Sequence, residues 1–137
     1  MTEGVPAPSR TVTTVAVGVR DYDEALAFYV GVLGLELIED TALGASKRWV
    51  VVGSHAGARI LLARATTPAQ EGRVGDQTGG RVFLFLETDD LACDHAAYAA
   101  AGVRFVEGPR SEPYGRVAVF EDLYGNRWDL IERRPAG

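Results

Sequence analysis

Apolar positions along the chain switch between a two-residue and a helical period, and the switches mark its elements. Over Val12–Val19, Val15, Val17 and Val19 alternate with Thr14, Ala16 and Gly18, which predicts a half-buried strand. Asp21 follows as a helix N-cap with Glu24 three residues on, a capping-box spacing. Tyr22, Ala25, Leu26, Tyr29 and Leu33 then recur at helical spacing, and Gly34 closes the helix. Leu35–Glu39, Lys47–Val52 and Ala58–Ala63 read as strands, with a turn over Gly53–Gly57. Arg64–Gly80 has no apolar period and reads as a long loop, a length that in a compact domain is often functional or mobile.

The order then restarts. Arg81–Glu87 is a strand, Asp89 caps a helix through Ala101, Gly102 ends it, and Val103–Val106 is a strand. Val117–Phe120 and Arg127–Ile131 form a hairpin whose turn uses Tyr124-Gly125-Asn126, residues that tolerate positive φ. A shift of 68 residues lays Asp21 on Asp89, Gly34 on Gly102, Leu35 on Val103 and Leu37 on Phe105. Each half is strand, helix, then three strands, so the class is α+β with two βαβββ modules. The expected organisation is a flexible tail over 1–10, a single domain over 11–132 and a tail over 133–137. Within the domain, modules 11–63 and 81–132 are joined by the loop 64–80.

Composition narrows the function classes. A 47% hydrophobic and 24% charged chain of 137 residues is ordinary for one globular domain. A net charge of −5 repels phosphate backbones, so nucleic acid is not an expected partner. One cysteine, Cys93, excludes an internal disulfide and fits a reducing cytosol. The first residues lack the basic start and apolar core of a signal peptide, and no apolar run approaches a membrane span. The expectation is a cytoplasmic protein without a membrane partner.

Asp129 carries the first chemical signal. The strand period turns Arg127, Asp129 and Ile131 one way and Trp128 and Leu130 the other. A carboxylate in mid-strand must face water, a partner charge, a metal or a ligand. The competing bland role is a carboxylate paired with Arg127 or another arginine.

Three segments carry a resemblance. They are Val15–Asp21 leading into Ala27-Phe28-Tyr29 and Leu33-Gly34-Leu35; Phe85–Asp90 through Ala101-Gly102-Val103; and Glu121–Asn126 through Asp129-Leu130. Together they make the chain similar to the vicinal oxygen chelate superfamily, which includes glyoxalase I, bleomycin-resistance proteins and extradiol dioxygenases. The resemblance implies paired βαβββ modules forming curled mixed sheets around a shared cavity, commonly within a homodimer. It also implies a divalent metal held by His, Glu or Gln from matched strands of both modules. Here Thr14 stands where His or Gln is usual, Leu61 where glyoxalase I has Glu, and Phe83 where the second module has His. Only Asp129 keeps an oxygen ligand. Thr14 and Asp129 fall short of the roughly six donors of a hard cation, so no metal or other cofactor is expected.

By the same resemblance Phe83 faces the cavity; Phe85 and Phe120, with Trp49 near by, read as cavity wall, although aromatics at strand spacing are more often core than ligand platform. Tyr114 and Arg116 supply a phenol and a guanidinium at the rim, beside Arg127 and Asp129. His55 and His95 have no partner at metal spacing and read as surface or packing residues. Cys93 is surrounded by Asp89, Asp90 and Asp94, which oppose a thiolate. The expected function is metal-independent binding of a small planar or amphipathic molecule. The alternative is a glyoxalase-like lyase or isomerase, or a dioxygenase-like enzyme, with Asp129 catalytic beside a non-standard divalent metal site.

Overall fold

The computed structural model describes residues 4–134. Residues 1–3 and 135–137 of the expected tails lie outside that range. Two four-stranded mixed sheets dominate. In the first, β1 (Thr14–Val19) lies parallel to β4 (Arg59–Arg64), followed by antiparallel β3 (Arg48–Gly53) and β2 (Glu36–Ala42). In the second, β5 (Val82–Glu87) lies parallel to β8 (Arg127–Arg133), followed by antiparallel β7 (Gly115–Glu121) and β6 (Arg104–Glu112). The helices are α1 (Tyr22–Tyr29), α2 (Pro68–Glu71) and α3 (Leu91–Ala100). The order β1-β4-β3-β2 is repeated as β5-β8-β7-β6, the topology of two βαβββ modules.

Local chemistry sets the helix ends. Asp21 caps α1 by accepting from the Glu24 N–H at 2.8 Å. The second cap is Asp90 rather than the expected Asp89: its carboxylate accepts from the Cys93 N–H at 3.0 Å, while the Thr88 hydroxyl accepts from the Asp90 N–H. Helix α1 ends at Tyr29, and a wide turn carries the chain to Gly34, whose φ of +81° suits glycine. Gly102 repeats that role at φ +92°. Four strands and the linker differ most from expectation. β2 runs on to Ala42, β6 to Glu112, β7 starts at Gly115, β8 continues into Arg133, and the loop contains α2, capped by the Thr67 side chain.

The core lies between the sheets' helix-covered faces. Val17, Val19, Val50, Val52, Ile60 and Leu62 of the first sheet meet Tyr22, Ala25 and Tyr29 of α1. Phe120, Trp128 and Leu130 of the second meet Leu91 and Tyr98 of α3. Burying each such aliphatic side chain contributes roughly 1.5–3 kcal/mol. The two halves touch through their aromatics: the Tyr29 and Trp128 rings lie 5.9 Å apart, and the Tyr98 hydroxyl donates to the Leu33 carbonyl at 2.7 Å.

Asp122 joins the halves more tightly. This buried carboxyl accepts from the Tyr29 hydroxyl (2.7 Å), the Trp128 indole (3.1 Å), the Asn126 side chain (3.2 Å) and the Tyr124 and Asn126 backbone N–H groups (both 3.0 Å). The β7–β8 turn is thereby a staple between modules as well as a hairpin. Burial, with the Asp122 carboxyl second, pushes the Tyr29 phenol far above its ordinary pKa, so it remains a hydrogen-bond donor.

Candidate functional site

Because helices cover one face of each sheet, the chemistry sits on the two opposite faces. On the second sheet one cross-strand row runs Phe85, Asp129, Val119, Glu107. Phe85 is 64% exposed there. The Asp129 carboxylate receives no hydrogen bond or ion pair among the described residues, so the competing role of a pair with Arg127 or another arginine is not made there. Partial burial pushes its pKa up; the Arg110 guanidinium draws it down and Glu107 raises it. Arg127 shares this face two residues away and is exposed.

Two expected wall residues, Phe120 and Phe83, and the expected rim residue Arg116 are placed differently. Phe120 pairs with Trp128 across the strands, stacks on it at 5.8 Å and is 0% exposed. Strand alternation therefore commits it to the core, opposite Asp129. Phe83 is the extra residue of a bulge: Val82 pairs with Arg127 and Leu84 with Trp128, leaving Phe83 without a partner and partly buried against the core. Arg116 pairs with Glu132 and lies at even spacing from Ala118 and Phe120, on the helix side of the sheet and not beside Asp129. Tyr114 is exposed in the β6–β7 turn.

The first sheet carries the more enclosed site. Thr14, Ala16 and Gly18 of β1 align with Arg59, Leu61 and Ala63 of β4 on the face away from α1. A cavity of about 780 Å³ is lined there by Gly18, Trp49, Leu61 and Ala63, and it reaches round the end of β4 to Tyr22, Arg48, Leu62 and Arg64 on the α1 side, with Lys47 at the rim. The linker closes the other side through Ala69, Gln70, Arg73 and Gln77. Trp49 is 42% exposed, and it belongs to this sheet rather than to the Phe85 and Asp129 face.

Two contacts hold the linker down. Gln77 accepts from the Gly18 N–H (2.9 Å) and donates to the Ala16 carbonyl (3.4 Å), pairing with the edge of β1 that no strand covers. At Gly75, with φ +79°, an added Cβ would lie 1.8 Å from the Tyr124 carbonyl oxygen, so only glycine permits this approach. Sequence reasoning missed Lys47, Arg64, Arg73 and Gln77 as site residues. Arg64, Arg73 and Gln77 were marked only by a long loop without apolar period, and Lys47 only as the first residue of an expected strand.

A second cleft of about 960 Å³ lies between the modules, lined by Leu33–Leu35, Leu86–Asp89, Asp94, Tyr98, Glu132 and Arg133. Three of its four carboxylates are engaged in structure: Asp94 accepts from the Thr88 hydroxyl, Glu132 from the Leu91 N–H, and Glu87 pairs with Arg133. His55 binds Glu36 at the surface (2.6 Å), and the His95 ring lies 4.1 Å from that of Phe105. Cys93 is free and exposed.

The four positions at which the resemblance implies metal ligands carry Thr14, Leu61, Phe83 and Asp129. Two of these are hydrocarbon and donate nothing. The Thr14 hydroxyl is hydrogen-bonded to that of Thr13 (3.1 Å), and Asp129 stands on the other sheet. Among the described residues no three His, Cys, Asp or Glu side chains come together. One carboxylate and one neutral hydroxyl do not fit a divalent cation.

Comparison with known proteins agrees with this architecture. A protein of uncharacterised function from Shewanella frigidimarina (strain NCIMB 400) is 51% identical over 127 residues, covering 90% of this chain and 93% of that one. The crystal structure of UcmS2 superposes with a TM-score of 0.76 at 27% identity, covering 90% of this chain and 98% of that one. TnmS3, an antibiotic binding protein from Streptomyces sp. CB03234, gives a TM-score of 0.74 at 30% identity, covering 94% and 100%. Residues 11–130 match the family description directly, and the chain belongs to the Glyoxalase/Bleomycin resistance protein/Dioxygenase superfamily.

Proposed function

We propose that this protein binds a small planar or amphipathic molecule without a metal, in the cavity on the open face of the first sheet. The observation that carries this reading is the cavity itself. Its volume of about 780 Å³ falls in the range of small-molecule sites, and its floor is apolar and aromatic. The donor set at the family's metal positions supports the metal-independent part, because Leu61 is part of that floor. The similar protein TnmS3 binds an antibiotic, which supports a ligand of drug-like size.

A homodimer belongs to the same proposal. Phe85 and Trp49 expose aromatic surface on the two open faces, and a twofold copy would cover both. Cytoplasmic residence fits the free, exposed Cys93. Among the described residues no helix is long and apolar enough to cross a membrane.

The test is a thermal-shift screen of planar aromatic and amphipathic compounds, run with EDTA and again with added Zn²⁺, Mn²⁺ or Ni²⁺. Hits that raise the melting point equally in all conditions support the reading. A stoichiometric metal whose removal abolishes binding overturns it. Sedimentation at tens of micromolar should show a dimer; a monomer removes that part.

A second reading, a lyase or isomerase, is favoured by one observation. Asp129 is an unpartnered carboxylate with a raised pKa, which suits a general base. Turnover of an α-keto or hydroxy-acid adduct that is lost in Asp129→Asn would establish it.

A further inference from the structure

We propose that the cavity on the first sheet selects an aromatic anion, a flat apolar body bearing a carboxylate. This rests on the binding reading of that cavity and adds the charge of its ligand. The chain has 19 acidic and 14 basic residues, yet the cavity is lined by Lys47, Arg48, Arg64 and Arg73 and by no Asp or Glu. Arg48 is neutralised by Asp40 (2.7 Å) and Asp23 (2.9 Å). Lys47, Arg64 and Arg73 make no ion pair among the described residues, so up to three cations face the cavity uncompensated. A concave, partly apolar site of one sign concentrates the opposite sign of ligand.

The geometry favours a planar oxyanion over a diffuse negative charge. The Arg64 guanidinium lies 5.9 Å from the centroid of the Tyr22 ring, and that of Arg48 lies 5.2 Å from it. The Tyr22 ring orients Arg64, whose one recorded hydrogen bond is a long one, 3.4 Å, to the Ser46 carbonyl. Its remaining N–H groups form a fork that matches a carboxylate. Ala63, Ala65 and Ala69 leave room for a flat body, and Trp49 offers it a ring face. The inter-module cleft, with Glu87, Asp89, Asp94 and Glu132 against Arg133, has the opposite sign.

The test uses three probes of one shape: naphthalene-2-carboxylate, naphthalene-2-carboxamide and 2-naphthylmethylammonium, followed by tryptophan fluorescence and calorimetry. Inorganic phosphate serves as charge without an aromatic body. The carboxylate should bind about tenfold or more tighter than the carboxamide, the ammonium weakest, and phosphate not measurably. In the Arg64→Gln/Arg73→Gln double variant the carboxylate should fall to the carboxamide's affinity while the carboxamide's stays unchanged. Arg73→Gln alone, at an exposed position, should give an intermediate loss. Added salt should weaken the carboxylate alone. Equal affinities for the three, or a preference that survives the double variant, overturns the anion selection and leaves the cavity a neutral binding site. Failure of all three to bind at millimolar concentration overturns the cavity reading as well.

Discussion

The two open sheet faces are built on one topology and carry opposite chemistry. On the first, Gly18, Leu61 and Ala63 make a smooth floor beneath a cationic rim, and the linker with α2 covers it. On the second, Asp129 and the exposed Phe85 stand in a row with buried Val119 and with Glu107 near by. The difference follows from connectivity. Only one linker joins two modules, and it leaves β4 to fold back over the first sheet before β5 begins. A duplicated scaffold thus acquires one enclosed site and one open face. Both modules keep the same helix-covered core, and the proposed selection of a ligand falls to side chains of the first module's rim and of the linker.

Substitutions can break this comparison at several strengths. The largest effect belongs to the shared helix-side core. Phe120→Ala should lower stability by about 3–5 kcal/mol in urea denaturation, whereas Phe85→Ala, on the open face, should change it by no more than about 0.5 kcal/mol. Similar losses at both positions would mean that Phe85 is covered in solution, as a tight dimer would cover it.

Gly75→Ala separates the roofed face from the open one. The added methyl would collide with the Tyr124 carbonyl at a positive φ, so the linker must lift from the β7–β8 turn. A loss of about 1–3 kcal/mol is expected. Ligand affinity at the first sheet should fall with it, through displacement of Gln77 and Arg73. Unchanged affinity would show that the linker contributes no binding contact.

The smallest effect concerns Asp129. Its folded pKa is raised, so the folded chain holds this proton more tightly than the unfolded chain does. Ionisation therefore costs stability above the raised pKa, and the cost disappears as pH falls through it. Asp129→Asn should be equal to or slightly more stable than the parent at neutral pH, within about 0.5 kcal/mol. That margin should close on acidification, as read from melting temperatures across the acidic range. A clear loss of stability at neutral pH would instead reveal an ion pair, with Arg110 the first candidate.

What the sequence determined by itself is the part governed by short-range periodicity. Alternating valines in β1, the Asp21 cap and glycines at 34 and 102 need only local backbone chemistry, and they fix strands, helices and the duplicated order. Even there, one-residue choices such as Asp89 against Asp90 turned on a hydroxyl, that of Thr88, whose bonds are not visible as a pattern. The two sides of β8 were equally legible, because alternation alone separates Asp129 from Trp128.

Tertiary structure decided the rest. Phe83, Phe85 and Phe120 look alike in the sequence, yet one sits in a bulge, one on the open face and one in the core. A bulge changes register without changing composition, and cross-strand pairing chooses which face of β7 meets α3. Asp122 carried no role of its own in the sequence pattern and is the staple to Tyr29, 93 positions away. The cationic cavity was invisible for the same reason. Lys47, Arg64 and Arg73 come from a strand edge and a loop that share no period, and only the chain's return over β1 brings their charges to one rim.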